Sequence, residues 1–134
     1  GVDPVIAAAQ CCHETGNLTS ARSQPPQRNL AGIGATNDGA PGAAFPSLEA
    51  AVKAQVGRLI AYALPPARRT RSQQALVDIA MVAKPLDASC HGSAPTLLLL
   101  GEEPNPVPLC GWARWGKDYG ARLAATANEL RGLV

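Results

Sequence analysis

Apolar positions recur at helical spacing in four stretches of the chain, separated by segments rich in Gly, Pro and Ser. The first stretch opens at Pro4. Asp3 can cap it, Pro4 suits a first turn where its missing N–H is not needed, and Gly16 offers a left-handed stop. Val5, Ala8, Ala9 and Cys12 follow the i, i+3, i+4, i+7 spacing of a core face, while Gln10 and Glu14 stand one turn apart on another face. The strongest pattern runs from Ser47 to Ala63. Leu48, Val52, Val56, Leu59, Ile60 and Ala63 make its stripe, Ser47 can cap it, Glu49 suits its positive first turn, and Pro65-Pro66 stops it. A third helix is predicted from Arg71 to Ala83. Thr70 and Gln73 have capping-box spacing, Leu76, Ile79, Ala80 and Ala83 form the expected buried face, and Lys84-Pro85 closes it. The last helix starts near Asp118 and presents Tyr119, Leu123, Ala127 and Leu130.

Between these elements the pattern is irregular. Residues Asn17 to Ala44 predict a loop lobe with one short hairpin at most, turning at Asn37-Asp38-Gly39. Ala88 to Gly116 is loop-dominated, with one helical turn at Leu97–Leu100 before Pro104, Pro106 and Pro108 exclude regular structure. Trp112 and Trp115 emerge from this segment. Trp115 is expected in the core; Trp112 either packs there or leaves its flat face open for stacking. The fold class expected is mainly α, in a single domain over residues 1–134.

Composition narrows the function classes. A formal charge of +2 and one small basic cluster, Arg68, Arg69 and Arg71, give no footprint for nucleic acid. The apolar run Leu97–Leu100 is far below the roughly 20 residues of a membrane span. The sequence opens at Gly1-Val2-Asp3 without signal-peptide features, so any export signal is expected to lie outside it. Cys11 and Cys12 are adjacent on a helix and point about 100° apart, which disfavours their bonding each other. Cys12 is expected to be a buried, unpaired thiol. Cys90 and Cys110 can pair if their backbones approach. With His13 and His91 they match no metal-ligand spacing, so no metal or cofactor is predicted.

The chemistry concentrates at Gln10-Cys11-Cys12-His13-Glu14-Thr15-Gly16. A carboxyl at the last turn of a helix lies near unpaired carbonyls and the negative end of the dipole, which disfavours its ionised form. A carboxyl kept neutral near pH 7 is what a general acid requires.

These residues resemble the Gln-x-x-x-Glu-(Thr/Ser)-Gly motif of bacterial peptidoglycan glucosaminidase domains, relatives of lysozyme. Arg28-Asn29-Leu30-Ala31-Gly32-Ile33-Gly34 is similar to that family's Asn-x-x-Gly-(Ile/Val) segment. Phe45-Pro46-Ser47-Leu48-Glu49 is similar to its aromatic-x-Ser-x-Glu helix start. Trp112-Ala113 and Asp118-Tyr119-Gly120-Ala121-Arg122-Leu123 resemble its closing pattern. Together the four blocks span nearly the whole chain in order.

The resemblance implies a lysozyme-like helical domain that hydrolyses the glycan strand of peptidoglycan at the β-1,4 bond after N-acetylglucosamine. Glu14 would be the general acid. Gln10, Asn29, Gly32, Trp112 and Tyr119 would line the substrate cleft. The second group is Asp38 acting as base, or the substrate's own acetamido group; loss of activity is the third alternative. The partner implied is the glycan strand, the protein a monomer, secreted or at the cell wall, or a phage-encoded lysin. Rival readings are a muramidase or lytic transglycosylase on the same polymer, a non-catalytic wall-binding module, and a Cys/His metal or redox protein.

Overall fold

The computed structural model describes residues 1–36, 38–114 and 117–133. Among them the protein is mainly α, with helices α1 (Pro4–Thr15), α2 (Leu48–Ala63), α3 (Arg71–Ala83) and α4 (Tyr119–Gly132). No strand is present among the described residues, only isolated bridges pairing Ala35 with Pro41 and Gly101 with Ala113. The expected hairpin is therefore reduced to a single bridge. Asn37 and Trp115 lie outside the described residues, and with them the first residue of the expected turn and the expected core tryptophan.

The helix ends follow from local chemistry. Asp3 accepts a hydrogen bond from the Val5 N–H at 2.8 Å, and Gly16 ends α1 at φ +57°. Ser47 accepts from the Ala50 N–H at 3.1 Å at the start of α2. At the start of α3, Thr70 and Gln73 bond each other's backbone reciprocally, at 3.2 and 2.8 Å. Each such cap contributes roughly 1 kcal/mol. Leu97–Leu100 forms a short 3₁₀ turn in the loop-rich segment.

The buried faces differ from the expected ones. In α1 Ala8 is exposed, Cys12 is half-exposed, and Ala7, Ala9 and Gln10 turn inward. In α2 Leu48 is 57% and Val52 43% exposed, whereas Ala51, Ala54, Gln55 and Gly57 are buried. The reason is close helix packing. A Cβ on Gly57 would lie 1.9 Å from the Leu76 carbonyl oxygen, so α2 meets α3 backbone to backbone. Large side chains are excluded from that contact, and Ile79 of α3 is likewise left exposed while Val77 and Ala80 are buried. α4 matches its expected face at Tyr119, Leu123 and Ala127, with Leu130 partly buried.

Two apolar clusters frame the region between α1, α4 and the loop lobe. One gathers Ala7, Leu59, Tyr62, Leu100, Tyr119 and Leu123 around the Cys90–Cys110 disulfide. The other holds Ala31, Ile33, Phe45, Ala51 and Ala54 beneath the lobe. Trp112 packs against both. No helix among the described residues is long and apolar enough to cross a membrane.

Candidate active site

α1 delivers Glu14 to the inner end of a cleft of about 790 Å³, within the range of roughly 300–1,000 Å³ usual for ligand sites. Besides Glu14, its lining comes from two stretches of chain, one with Ser20, Arg22, Asn29, Gly32, Ala35, Thr36 and Asp38, the other with Trp112, Ala113 and Arg114. Gly32 adopts φ +64°, and a Cβ there would lie 3.2 Å from Glu14 Oε2. This backbone passes so close to the carboxyl that only glycine leaves the oxygen uncovered.

Burial pushes the Glu14 carboxyl above its ordinary pKa, opposed in part by a hydrogen bond from Tyr119. The sequence pointed to the helix terminus as the cause. Desolvation is the dominant one. The Tyr119 hydroxyl donates to Glu14 Oε1 at 2.5 Å. Burial foremost, and then the adjacent carboxylate, push the Tyr119 phenol far above its ordinary pKa, so it remains a donor at any working pH.

Gln10 and Tyr119 do not line the cleft. They stand behind Glu14, with Gln10 fully buried and Tyr119 3% exposed. Gln10 Nε2 donates to the Tyr119 hydroxyl at 3.0 Å. Gln55 Nε2 in turn donates to Gln10 Oε1 and to the Ala7 carbonyl, both at 2.9 Å. The Cys11 thiol donates to Gln55 Oε1 at 3.1 Å. Gln55 escaped the sequence reading, and Cys11 was read there only for its geometry relative to Cys12. The signal for Gln55 was a polar residue in helical register with Ala51, Leu59 and Tyr62 on an otherwise apolar face.

Asn29 reaches the cleft wall, yet its amide is engaged in shaping the loop. Its Nδ2 donates to the Ile33 and Ala43 carbonyls at 2.9 and 3.1 Å, and its Oδ1 accepts from the Ile33 N–H at 2.9 Å. Trp112 Nε1 donates to the Ala31 carbonyl at 3.2 Å, tying the two stretches together. The Arg58 guanidinium lies over the Trp112 and Tyr62 rings, 5.8 and 5.7 Å from their centroids, an attraction worth roughly 0.5–2 kcal/mol. Asp38 is exposed on the lobe. Its Oδ1 accepts from the Thr36 hydroxyl and from the Ala40 N–H, and these bonds hold the carboxyl below its usual pKa. Two carboxyls of opposite character thus line one cleft, one inclined to keep its proton and one ionised.

Arg22 and Arg114 also line the cleft, and neither takes part in an ion pair among the described residues. They give it a positive rim that the sequence reading did not anticipate. His13 sits outside, edge-on to Tyr119 with ring centroids 5.5 Å apart. His91 faces Arg69 at 2.6 Å. Among the described residues no three His, Cys, Asp or Glu side chains cluster as metal ligands do. No protein-family model, curated protein or solved structure matches the chain.

Proposed function

We propose that the protein is a lysozyme-like peptidoglycan hydrolase that cleaves the β-1,4 glycosidic bond after N-acetylglucosamine, with Glu14 as its general acid. One observation carries this reading: a carboxyl whose pKa is raised by burial stands in a cleft of ligand size, with one oxygen engaged by Tyr119. The resemblance around Glu14, Asn29-x-x-Gly32, Phe45–Glu49 and Asp118–Leu123 supplies the substrate class. Ordered glycan subsites would run along the Trp112 wall and the Gly32 backbone. Arg22 and Arg114 favour approach to an anionic wall polymer.

In the proposed reaction the Glu14 proton passes to the leaving glycosidic oxygen as the bond to the sugar's anomeric carbon breaks and positive charge develops on the ring. Asp38 Oδ2, which makes no hydrogen bond among the described residues, takes a proton from the attacking water. The resulting hydroxyl ends on the anomeric carbon, and proton exchange with solvent restores both carboxyls. A protein of this kind acts at the cell wall, whether secreted or released as a lysin.

Mass spectrometry of purified sacculi digested by wild type and Glu14→Gln tests the reading. Wild type is expected to release fragments ending in reducing N-acetylglucosamine, and the amide variant, which keeps the shape but has no acidic proton, almost none. Reducing muramic acid would reassign the protein as a muramidase, anhydro-muramic ends as a lytic transglycosylase. Retention on sacculi without release would make it a wall-binding module.

A further inference from the structure

The buried side chains behind Glu14 form one continuous hydrogen-bonded line, and its direction is decided at its far end. The Ala7 carbonyl can only accept, so the side chain of Gln55 must turn its NH₂ toward it. The second proton of that NH₂ goes to Gln10 Oε1, and the Cys11 thiol fills Gln55 Oε1. Gln10 is thereby forced to present its own NH₂ to the Tyr119 oxygen. A phenol that accepts there has a single proton left to give, and Glu14 Oε1 receives it. With Oε1 held as an acceptor, a protonated Glu14 must carry its proton on Oε2. That is the oxygen beside Gly32, at the cleft wall. Gln10 and Gln55 are 0% and 1% exposed, and no buried polar side-chain atom among the described residues lacks a partner, so water does not compete for the line.

We propose that Gln55 and Gln10 are positioning residues: they fix the direction of the Tyr119 hydroxyl so that the proton of Glu14 is held on Oε2, facing the substrate. Neither glutamine touches the cleft, so their effect reaches the substrate only through Tyr119 and Glu14. The inference deepens the hydrolase reading but stands on geometry that does not require it.

The measurement is therefore made on Glu14 itself, by ¹³C NMR titration of its carboxyl in wild type, Gln10→Met, Gln55→Met and Tyr119→Phe. Gln10→Met removes the donor that polarises the phenol and lets Glu14 donate to it. Gln55→Met frees the Gln10 amide to turn its oxygen toward Tyr119 and draw the hydroxyl away. Both changes favour the neutral carboxyl, so both should move the Glu14 pKa upward, in the same direction as Tyr119→Phe. A merely structural role would loosen the core, admit water and move it downward. A downward shift or no shift overturns the proposal. Should a variant not fold, amide assignments in the wild type decide the question: NOEs must place the NH₂ of Gln55 beside Ala7 and that of Gln10 beside the Tyr119 ring, and the reverse orientation overturns it. In sacculus digestion the folded glutamine variants should lose up to roughly 100-fold in kcat, with the alkaline limb of the pH profile displaced upward. If wild type digests nothing while the NMR results hold, the hydrolase reading falls and the relay stands.

Discussion

Gly32→Ala places a methyl group tightly against the Glu14 carboxyl. Two effects follow, and they separate cleanly. The backbone at φ +64° disfavours any L side chain, at a cost of about 1–2 kcal/mol. For a domain of this length that lowers the melting temperature by roughly 4–8 °C. The new Cβ would also stand 3.2 Å from Glu14 Oε2, closer than most carbon atoms approach an oxygen. In the proposed reaction a glycosidic oxygen taking a proton from Oε2 would have to come within about 2.6–3.2 Å of it, and the methyl would occupy part of that approach. Misplacement of this order is expected to lower kcat by about 10- to 100-fold. Gly16→Ala is the control. Its φ of +57° carries the same backbone strain, but its Cβ would meet only Thr19 Oγ1 at an ordinary 3.4 Å. Thermal denaturation and sacculus clearing by turbidity, run on both variants, test the argument. Similar melting shifts with activity lost only in Gly32→Ala are expected. Equal activity in the two variants would refute the claim that Gly32 guards the approach to the acid.

Three further outcomes are expected. Because burial raises the Glu14 pKa in the folded state, the stability this group contributes is fully present below its unfolded pKa and is lost as pH rises through the folded one. The melting temperature of Glu14→Gln relative to wild type should therefore increase from acid toward neutral pH; a constant difference would contradict a raised pKa. Asp38→Asn removes the ionised carboxylate yet keeps an oxygen for Thr36 and Ala40, so turnover should fall roughly 100-fold or more while glycan binding in calorimetry changes little. Unchanged turnover would confine Asp38 to its turn and favour acetamido assistance. Replacing Cys90 and Cys110 by Ser opens a loop of sequence separation 20 and should lower stability in denaturant unfolding by about 3 kcal/mol; insensitivity to the double change would show that the disulfide is dispensable.

Helix termini were legible because their chemistry is local. Asp3, Ser47 and the Thr70–Gln73 pair lie within a few residues of the N–H groups they cap, so α1, α2 and α3 could be bounded from the sequence. Which face each helix buries was less legible. Leu48, Val52 and Ile79 suggested one orientation, but the contact that decides it is made by Gly57 against the Leu76 carbonyl, where small size and not hydrophobicity counts. Glu14 stood out within its local motif. Gln10 and Tyr119 were named with it, but as cleft lining; that they stand behind it, joined to Gln55, was not legible, because the three meet across separations of 45 and 109 positions. A buried glutamine is read as polar surface until its partners are known. Arg22 and Arg114 escaped notice for the same reason: each is an ordinary surface charge until the chain folds them into one cleft.

Trp112 has a consequence for how the protein opens. Its indole is shared by the two apolar clusters and its N–H is given to the Ala31 carbonyl of the loop lobe. Parting the cleft walls there would strip the ring from both clusters at once and break that hydrogen bond. Partial unfolding of the lobe alone is thereby penalised, and the lobe and helical body should melt as one cooperative unit. The same sharing makes Trp112 a built-in optical probe. With Trp115 replaced by Phe, glycan entering the cleft as proposed would change the surroundings of the side of the Trp112 ring that lines it, while loss of the fold would change all of them, so two distinct fluorescence signals should come from this one side chain.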